Sequence, residues 1–225
     1  MKNIKPILKI EDVSYKYLDA LENDYVFKNL NYEFYNGKVY AIKGKSGSGK
    51  TTLLSLLSGL EKNYEGSITF NNKELSSIDL DNYRSKDIGI VFQSYNLLPH
   101  LTAIENIILS MNVSNLKIDN KKEKALELMK SVGLVESQKD RRVLKLSGGE
   151  QQRVAIARSL SYDPKIILAD EPTGNLDKET ENEILKILKD LARNKNKCII
   201  IVTHSENVCD QADVVYELKK RKKAK

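Results

Sequence analysis

Long apolar runs are missing from these 225 residues: the densest, CIIIV at Cys198–Val202, is five long, against the ~18 that a membrane-spanning helix needs. Any work done at a membrane therefore has to pass through another polypeptide. The opening MKNIKPILKIEDV has no h-region of a secretory signal, and the expectation is a chain that stays in the cytoplasm. Cysteine is scarce. Cys198 and Cys209 stand at no metal-ligand spacing with the two histidines, His100 and His204, and read as packing residues. No internal repeat, Pro-rich linker or low-complexity stretch interrupts the chain before its C-terminus. A basic body is absent too. The net charge of +6 is matched by Lys219, Lys220, Arg221, Lys222, Lys223 and Lys225 alone, so residues 1–218 are neutral. Residues 219–225 read as a solvated, disordered tail, with weak attraction to an anionic lipid surface as the functional alternative. With no basic face interleaved with aromatics, no nucleic-acid partner is expected.

What remains is an ordinary globular composition, 40% hydrophobic and 30% charged, in a chain long enough for a sizeable core without disulfides. Residues 7–18 and 25–35 alternate loosely between apolar and polar and predict two half-buried strands in an antiparallel flap. KVYAIK, IGIVFQ, KIILADE and KCIIIVTH are short, nearly continuous apolar runs, as in strands covered on both faces of a parallel sheet. Helical periods follow the first, through Leu53, Leu54, Leu56, Leu57 and Leu60, and the third, through Ile184, Leu185, Ile187, Leu188 and Leu191. The alternation predicts an α/β fold with a mostly parallel sheet. Residues of about 95–160 break that rhythm with helical segments, one carrying Ala125, Leu126, Leu128, Met129 and Val132 on a face, and predict an inserted helical subdomain.

GKSGSGKTT, Gly44–Thr52, fits G-x-x-x-x-G-K-[ST] between a predicted strand and a leucine-rich helix, the context this phosphate loop requires. Successive backbone N–H groups of such a loop point into one concavity, and a helix beginning near Gly49 adds its positive end. Lys50 reaches β- and γ-phosphates, and the Thr51 hydroxyl is a ligand for Mg²⁺. Downstream, a strand ends on Asp170 and Glu171, where open α/β sheets bind ligands. Asp170 suits the Mg²⁺ shell; Glu171 suits a base acting on water.

A second glycine-rich helix entrance, LSGGEQQRVAIARSL at Leu146–Leu160, needs its own account. Ser147 and Glu150 form a capping box, which does not explain Gly148 and Gly149, residues that weaken a helix unless something approaches the backbone closely. A helix N-terminus with a hydroxyl and no bulky side chains is also an anion site. Since Gly44–Thr52 already serves one nucleotide, the economical reading is that this entrance faces the nucleotide of a second copy, two chains enclosing two ATP molecules head to tail.

With these residues in view, the sequence resembles the nucleotide-binding subunit of ATP-binding cassette transporters over nearly its whole length, residues 1–218. GKSGSGKTT looks like the Walker A motif, ILADEP the Walker B, LSGGEQQR the signature, VFQ the Q-loop, GNLD the D-loop and TH the switch histidine, in the family's order. The resemblance implies a P-loop NTPase (RecA-like) core, an N-terminal antiparallel β subdomain and the helical insertion. It implies that ATP phosphates are held by Gly44, Lys45, Ser46, Gly47, Ser48, Gly49, Lys50, Thr51 and Thr52, and in the opposite copy by Ser147, Gly148, Gly149 and Glu150. Tyr17 stacks on adenine in this reading, with Tyr15 the competing candidate. Gln93 joins Thr51 and Asp170 around Mg²⁺ and senses the attacking water, His204 contacts the γ-phosphate beside the base Glu171, and Asp177 contacts the opposite subunit. His100 matches no motif position and reads as a surface residue.

VFQSYNLLPHLTAIENI and DEPTGNLD look like the macrolide-export, lipoprotein-release and antimicrobial-peptide-resistance group. The implied partner is an integral membrane permease docking near Gln93–Leu101, where Tyr95, Leu97, Leu98 and Pro99 offer apolar contact, at the cytoplasmic face of a bacterial membrane. Three departures stand out: Ser205 where an aspartate usually follows the switch histidine, Val143 where a proline often precedes the signature, and no Asp-Gly hairpin after VVYELKK, which leaves the terminal structure open. The alternative function is a soluble cassette ATPase of DNA repair or translation, although no coiled-coil or zinc insertion and no second cassette is present. A P-loop kinase or switch GTPase leaves LSGGEQQR without a role and lacks N-K-x-D.

Overall fold

Strands that are apolar along nearly their whole length have to be covered on both sides, and the computed structural model, which describes residues 5–19, 24–114 and 117–219, shows how. Five parallel strands run in the order β6 (Ile88–Phe92), β7 (Ile166–Asp170), β8 (Cys198–Thr203), β3 (Val39–Lys43) and β9 (Val214–Glu217). Side chains of successive strand residues point to opposite faces, so this sheet divides its apolar residues between two cores. Cys198, Ile200, Val202, Ile166 and Leu168 pack on one side with Leu53 and Leu56 of α1 (Lys50–Leu57). Ile199, Ile201, Ile167 and Ala169 pack on the other with α5 (Gly148–Ser159) and α6 (Lys178–Lys195).

The first core is closed by an antiparallel sheet of order β2 (Phe27–Phe34), β1 (Leu8–Tyr15), β4 (Glu65–Phe70) and β5 (Lys73–Glu74). The flap expected from two strands is thus four-stranded. Ile68 and Phe70 face inward between exposed or half-buried neighbours, a pattern with too few apolar residues to stand out in the sequence. Below it lies α2 (Leu80–Asn82), one turn that continues as a π-turn to Asp87.

Between β6 and β7 the chain leaves the sheet and forms α3 (Ala103–Val113), α4 (Lys121–Ser131) and α5, which pack on one another through Ile107, Met111, Ala125, Met129 and Val154. On α4 and just beyond it, Ala125, Met129 and Val132 are the buried stripe, while Leu126 and Leu128 flank it half-buried. After β8 comes α7 (Glu206–Gln211).

VVYE is β9, an edge strand paired with β3. Tyr216 anchors it by stacking on Tyr32, centroids 4.2 Å apart, and donating from Oη to the Glu33 carbonyl at 2.9 Å. Lys219 is exposed; the rest of the basic tail lies outside the described residues. Cys198 and Cys209 are buried thiols, and His100 is exposed.

Candidate functional site

The parallel strands end in register. Lys43 pairs with Thr203, Asp170 with Val202, and Phe92 with Asp170. The next residue after each of these four strands is Gly44, Gln93, Glu171 or His204, so four motifs far apart in sequence meet at one sheet edge, as open α/β sheets require. The cleft there, of about 840 Å³, is lined by Lys45, Ser46, Gly47, Gly49, Lys50, Thr51, Thr52, Gln93, Asp170, Glu171, His204 and Tyr17.

The phosphate loop owes its shape to its glycines. Gly49 has φ +93°, and a Cβ there would lie 2.4 Å from Val26 Cγ1; both bar any other residue. At Gly44 a Cβ would meet the buried Ser48 Oγ at 2.4 Å. Gly49 is also the N-cap of α1 and offers no side-chain oxygen, whereas Asp79, Thr102, Asn120, Ser147, Asp177 and Ser205 cap the other described helices. The first N–H groups of α1 are thus left for an external acceptor. Lys50, nearly buried, donates to the Gly44 carbonyl at 2.8 Å and lies 3.4 Å from Glu171 Oε1.

Thr51 Oγ1 donates to Asp170 Oδ2 at 2.9 Å, a hydroxyl and a carboxylate side by side. Burial pushes the Asp170 carboxyl above its ordinary range; the Thr51 hydrogen bond and Lys50 oppose this, and Glu171 reinforces it. Glu171 is held in a left-handed conformation, φ 45°, by backbone bonds from its own N–H to Val202 O and from Gly174 N–H to its carbonyl, both 3.0 Å. Its Oε1 lies 2.9 Å from His204 Nδ1, and its Oε2 accepts from Thr203 Oγ1 at 3.2 Å and His204 N at 3.3 Å. Gln93 Nε2 donates to Asn175 Oδ1 at 3.2 Å.

Tyr17 is half exposed, its Oη 2.9 Å from Thr52 Oγ1. Tyr15 is buried edge-on beneath it, with centroids 5.3 Å apart, and burial pushes its hydroxyl up to about 12. Of the two, only Tyr17 presents a ring to the cleft.

Ser147, Gly148, Gly149, Glu150 and Asp177 are not in the cleft lining. Ser147 caps α5 in the expected box: Glu150 N donates to Ser147 Oγ at 3.2 Å, and Ser147 N to Glu150 Oε2 at 2.7 Å. The N–H groups of Gly148 and Gly149 take no part in the box. Both glycines have a reason within the chain: a Cβ would lie 2.9 Å from Tyr95 Oη at Gly148, and 2.5 Å from Thr180 Cγ2 at Gly149. Asp177 caps α6, accepting from Glu179 N, Thr180 N and Thr180 Oγ1, and these bonds, the Thr180 N–H first, hold its carboxyl below the usual range.

The segment Gln93–Leu101 is held from behind: Arg158 donates to the carbonyls of Tyr95 and Asn96, and Asn106 bonds Leu98 N and O. Of the four apolar residues expected to face a partner, Leu98 and Pro99 are exposed; Tyr95 is half-buried, and Leu97 packs into the helical core. Asp24, Tyr25 and Val26 join the cleft lining with no motif to announce them. Asn175 and Thr203 lie inside recognised motifs, yet their bonds to Gln93 and Glu171 needed the strand register to appear.

The family described as ABC transporter matches residues 27–174. The chain is 44% identical over 208 residues to the uncharacterized ABC transporter ATP-binding protein YclH of Bacillus subtilis, covering 92% of this chain and 91% of that one. It is 40% identical over 219 residues to the lipoprotein-releasing system ATP-binding protein LolD of Treponema denticola, covering 96% of each. Among solved structures, the dimeric post-hydrolysis state of the ATP-binding cassette MJ0796 with ADP and Pi superposes with a TM-score of 0.85 at 36% identity, over 96% of this chain and 97% of that one.

Proposed function

The chain belongs to the ABC transporter family, and on that premise we propose that it is the subunit that binds and hydrolyses ATP to drive a separate membrane-spanning permease. What carries the reading is the meeting of Lys50, Thr51, Asp170, Glu171 and His204 at the ends of β3, β7 and β8, with Thr51–Asp170 and Glu171–His204 both at 2.9 Å. We assign residues 1–218 to the ATP-binding domain, with the helical subdomain at about 95–160.

The phosphate loop binds the β- and γ-phosphates through its backbone N–H groups, and Lys50 exchanges the Gly44 carbonyl for phosphate oxygen. The side-chain oxygens of Thr51, Asp170 and Gln93 form a hard donor set of the kind Mg²⁺ prefers, and an ion held by them would supply charge neutralisation to the phosphates. Glu171 accepts the proton of the attacking water. His204, tied to the same carboxylate, orients it and contacts the γ-phosphate. Tyr17 offers its ring to adenine. Ser147, Gly148, Gly149, Glu150 and Asp177 act on the nucleotide of a second copy, which accounts for their absence from this chain's cleft. MJ0796 is a dimer with bound ADP and Pi, which supports the paired arrangement.

The permease docks beside Gln93–Leu101 at the cytoplasmic face of the membrane. Among the described residues no helix is long and apolar enough to cross a bilayer. The permease is taken to be an exporter or mechanical coupler acting on lipoproteins, peptides or antibiotics, and the likeness to LolD, of a lipoprotein-releasing system, supports the first of these substrates. The test is Glu171→Gln: phosphate release is expected to fall at least ~10²-fold while Mg-ATP drives the variant into a dimer visible by sedimentation. Undiminished turnover rejects Glu171 as the base.

A further inference from the structure

Glu181 lies on α6, outside the cleft, yet two side chains from the loops that carry the chemistry and a third from α7 converge on it. Thr173 Oγ1, two residues past Glu171, donates to Glu181 Oε1 at 3.1 Å. Ser205 Oγ, adjacent to His204, donates to the same oxygen at 2.9 Å. Asn207 Nδ2, in the first turn of α7, donates to Oε2 at 3.0 Å. The loop after β7 and the loop after β8 are therefore fastened to each other at two places. One fastening is Glu171 itself, which accepts from Thr203 and His204. The other is Glu181. Thr203 joins them, its hydroxyl accepting from Ser205 N at 3.0 Å and donating to Glu171 Oε2.

We propose that Glu181 is a positioning residue for ATP hydrolysis, clamping the His204 loop against the Glu171 loop, and that it supplies from α6 the carboxylate that the sequence pattern leads one to expect at position 205. A serine at 205 can still cap α7, accepting from Val208 N, but it is neutral and too short to serve as the shared acceptor, and the Thr173 hydroxyl donates to Glu181 instead. The Glu181 carboxylate accepts from the Ser205 hydroxyl as well. The departure at 205 is thus an exchange: a short side chain there is served by a long acidic one on the neighbouring helix. Because Glu181 touches neither the cleft nor the site of attack, its removal leaves the phosphate loop and Tyr17 in place and loosens only the His204–Glu171 geometry. This inference rests on the hydrolytic reading above.

The test is a double-mutant cycle between Glu181→Ala and Ser205→Asp, read by steady-state ATPase kinetics and by backbone amide exchange of the nucleotide-free chain. Glu181→Ala is expected to lower kcat about tenfold with KM for ATP within about twofold, since misplacement of catalytic groups costs rate rather than binding. Exchange is expected to quicken in residues 171–176 and 203–208 together and nowhere else. Ser205→Asp in the wild-type background sets two carboxylates against each other and lowers kcat. In the Glu181→Ala background it restores a carboxylate beside Thr173 and raises kcat again. Should Glu181→Ala fail to fold, Glu181→Gln, which keeps the shape and one acceptor, is expected to give a smaller loss of the same kind. Unchanged kcat, a loss confined to KM, exchange that rises evenly over the chain, or a double variant no better than Glu181→Ala overturns the proposal. If the wild type releases no phosphate, the hydrolytic reading fails, and exchange in the two segments still decides whether the clamp exists.

Discussion

At Asp170 folding and chemistry pull in opposite directions. Burial raises its pKa, so between the unfolded and folded values the folded chain holds a proton that the unfolded chain has released. Stability is then greatest below the unfolded value and falls as pH rises through the folded one. Asp170→Asn is expected to flatten that fall and to melt above the wild type at neutral pH, while abolishing hydrolysis. Thermal denaturation of the nucleotide-free chain from about pH 4 to 8 checks it; equal midpoints at neutral pH count against a cost at Asp170. Glu171 is the companion case, a non-glycine residue at φ 45°, in a backbone region that persists where the surroundings over-determine it. Here those surroundings are the bonds to Val202, Gly174, Thr203 and His204.

Among elements, α1 and α5 show what two glycine-rich helix starts have in common and where they part. α1 begins on Gly49 with no side-chain cap and lies open to its own cleft, whereas α5 is capped by Ser147 and packs its second glycine against α6. Gly149→Ala is expected to destabilise the chain by ~1–3 kcal/mol through overpacking, which lowers the thermal midpoint by about 2–12 °C for a chain of this size. Thr180→Ser removes the offending Cγ2 and keeps the hydroxyl bonded to Asp177, so the double variant should recover most of the loss. If it melts no higher than Gly149→Ala, the contact is not what requires the glycine.

On the scale of the whole molecule, one chain gathers Lys50, Thr51, Asp170, Glu171 and His204 in a single cleft and leaves Ser147, Gly148, Gly149 and Glu150 outside it, where, as proposed, they act on a second copy's nucleotide. Gly148→Val is expected to leave ATP binding by the single chain within about threefold and to cut hydrolysis at least ~10²-fold. Carrying Tyr95→Phe alongside removes the Oη that lies 2.9 Å from the new Cβ. Loss of binding by the isolated chain speaks against action on a second copy's nucleotide. At the other end, removing residues 219–225 is expected to change neither ATPase rate nor thermal midpoint. Removing Leu218 as well should lower both, because it is buried, donates to the Lys43 carbonyl at 2.7 Å and packs its own carbonyl against Gly44.

Much of this was legible in the residues alone, for a physical reason: the phosphate loop, the Asp170–Glu171 pair, the capping box at Ser147 and the doubly covered strands are local patterns, set by the chemistry of neighbours in sequence. The sequence by itself determined the α/β layering and that the phosphate loop lies beside the Asp170–Glu171 pair at the strand ends. Tertiary structure alone decided what depends on register and burial. It left the Tyr17 ring exposed at the cleft and buried that of Tyr15, turned Leu97 inward, added β4 and β5 to the flap, and gave VVYE an edge position held by Tyr216. It also brought Glu181 to Thr173 and Ser205, because the distance between two helices and two loops is fixed by how the sheet between them packs, and no spacing along the chain encodes it.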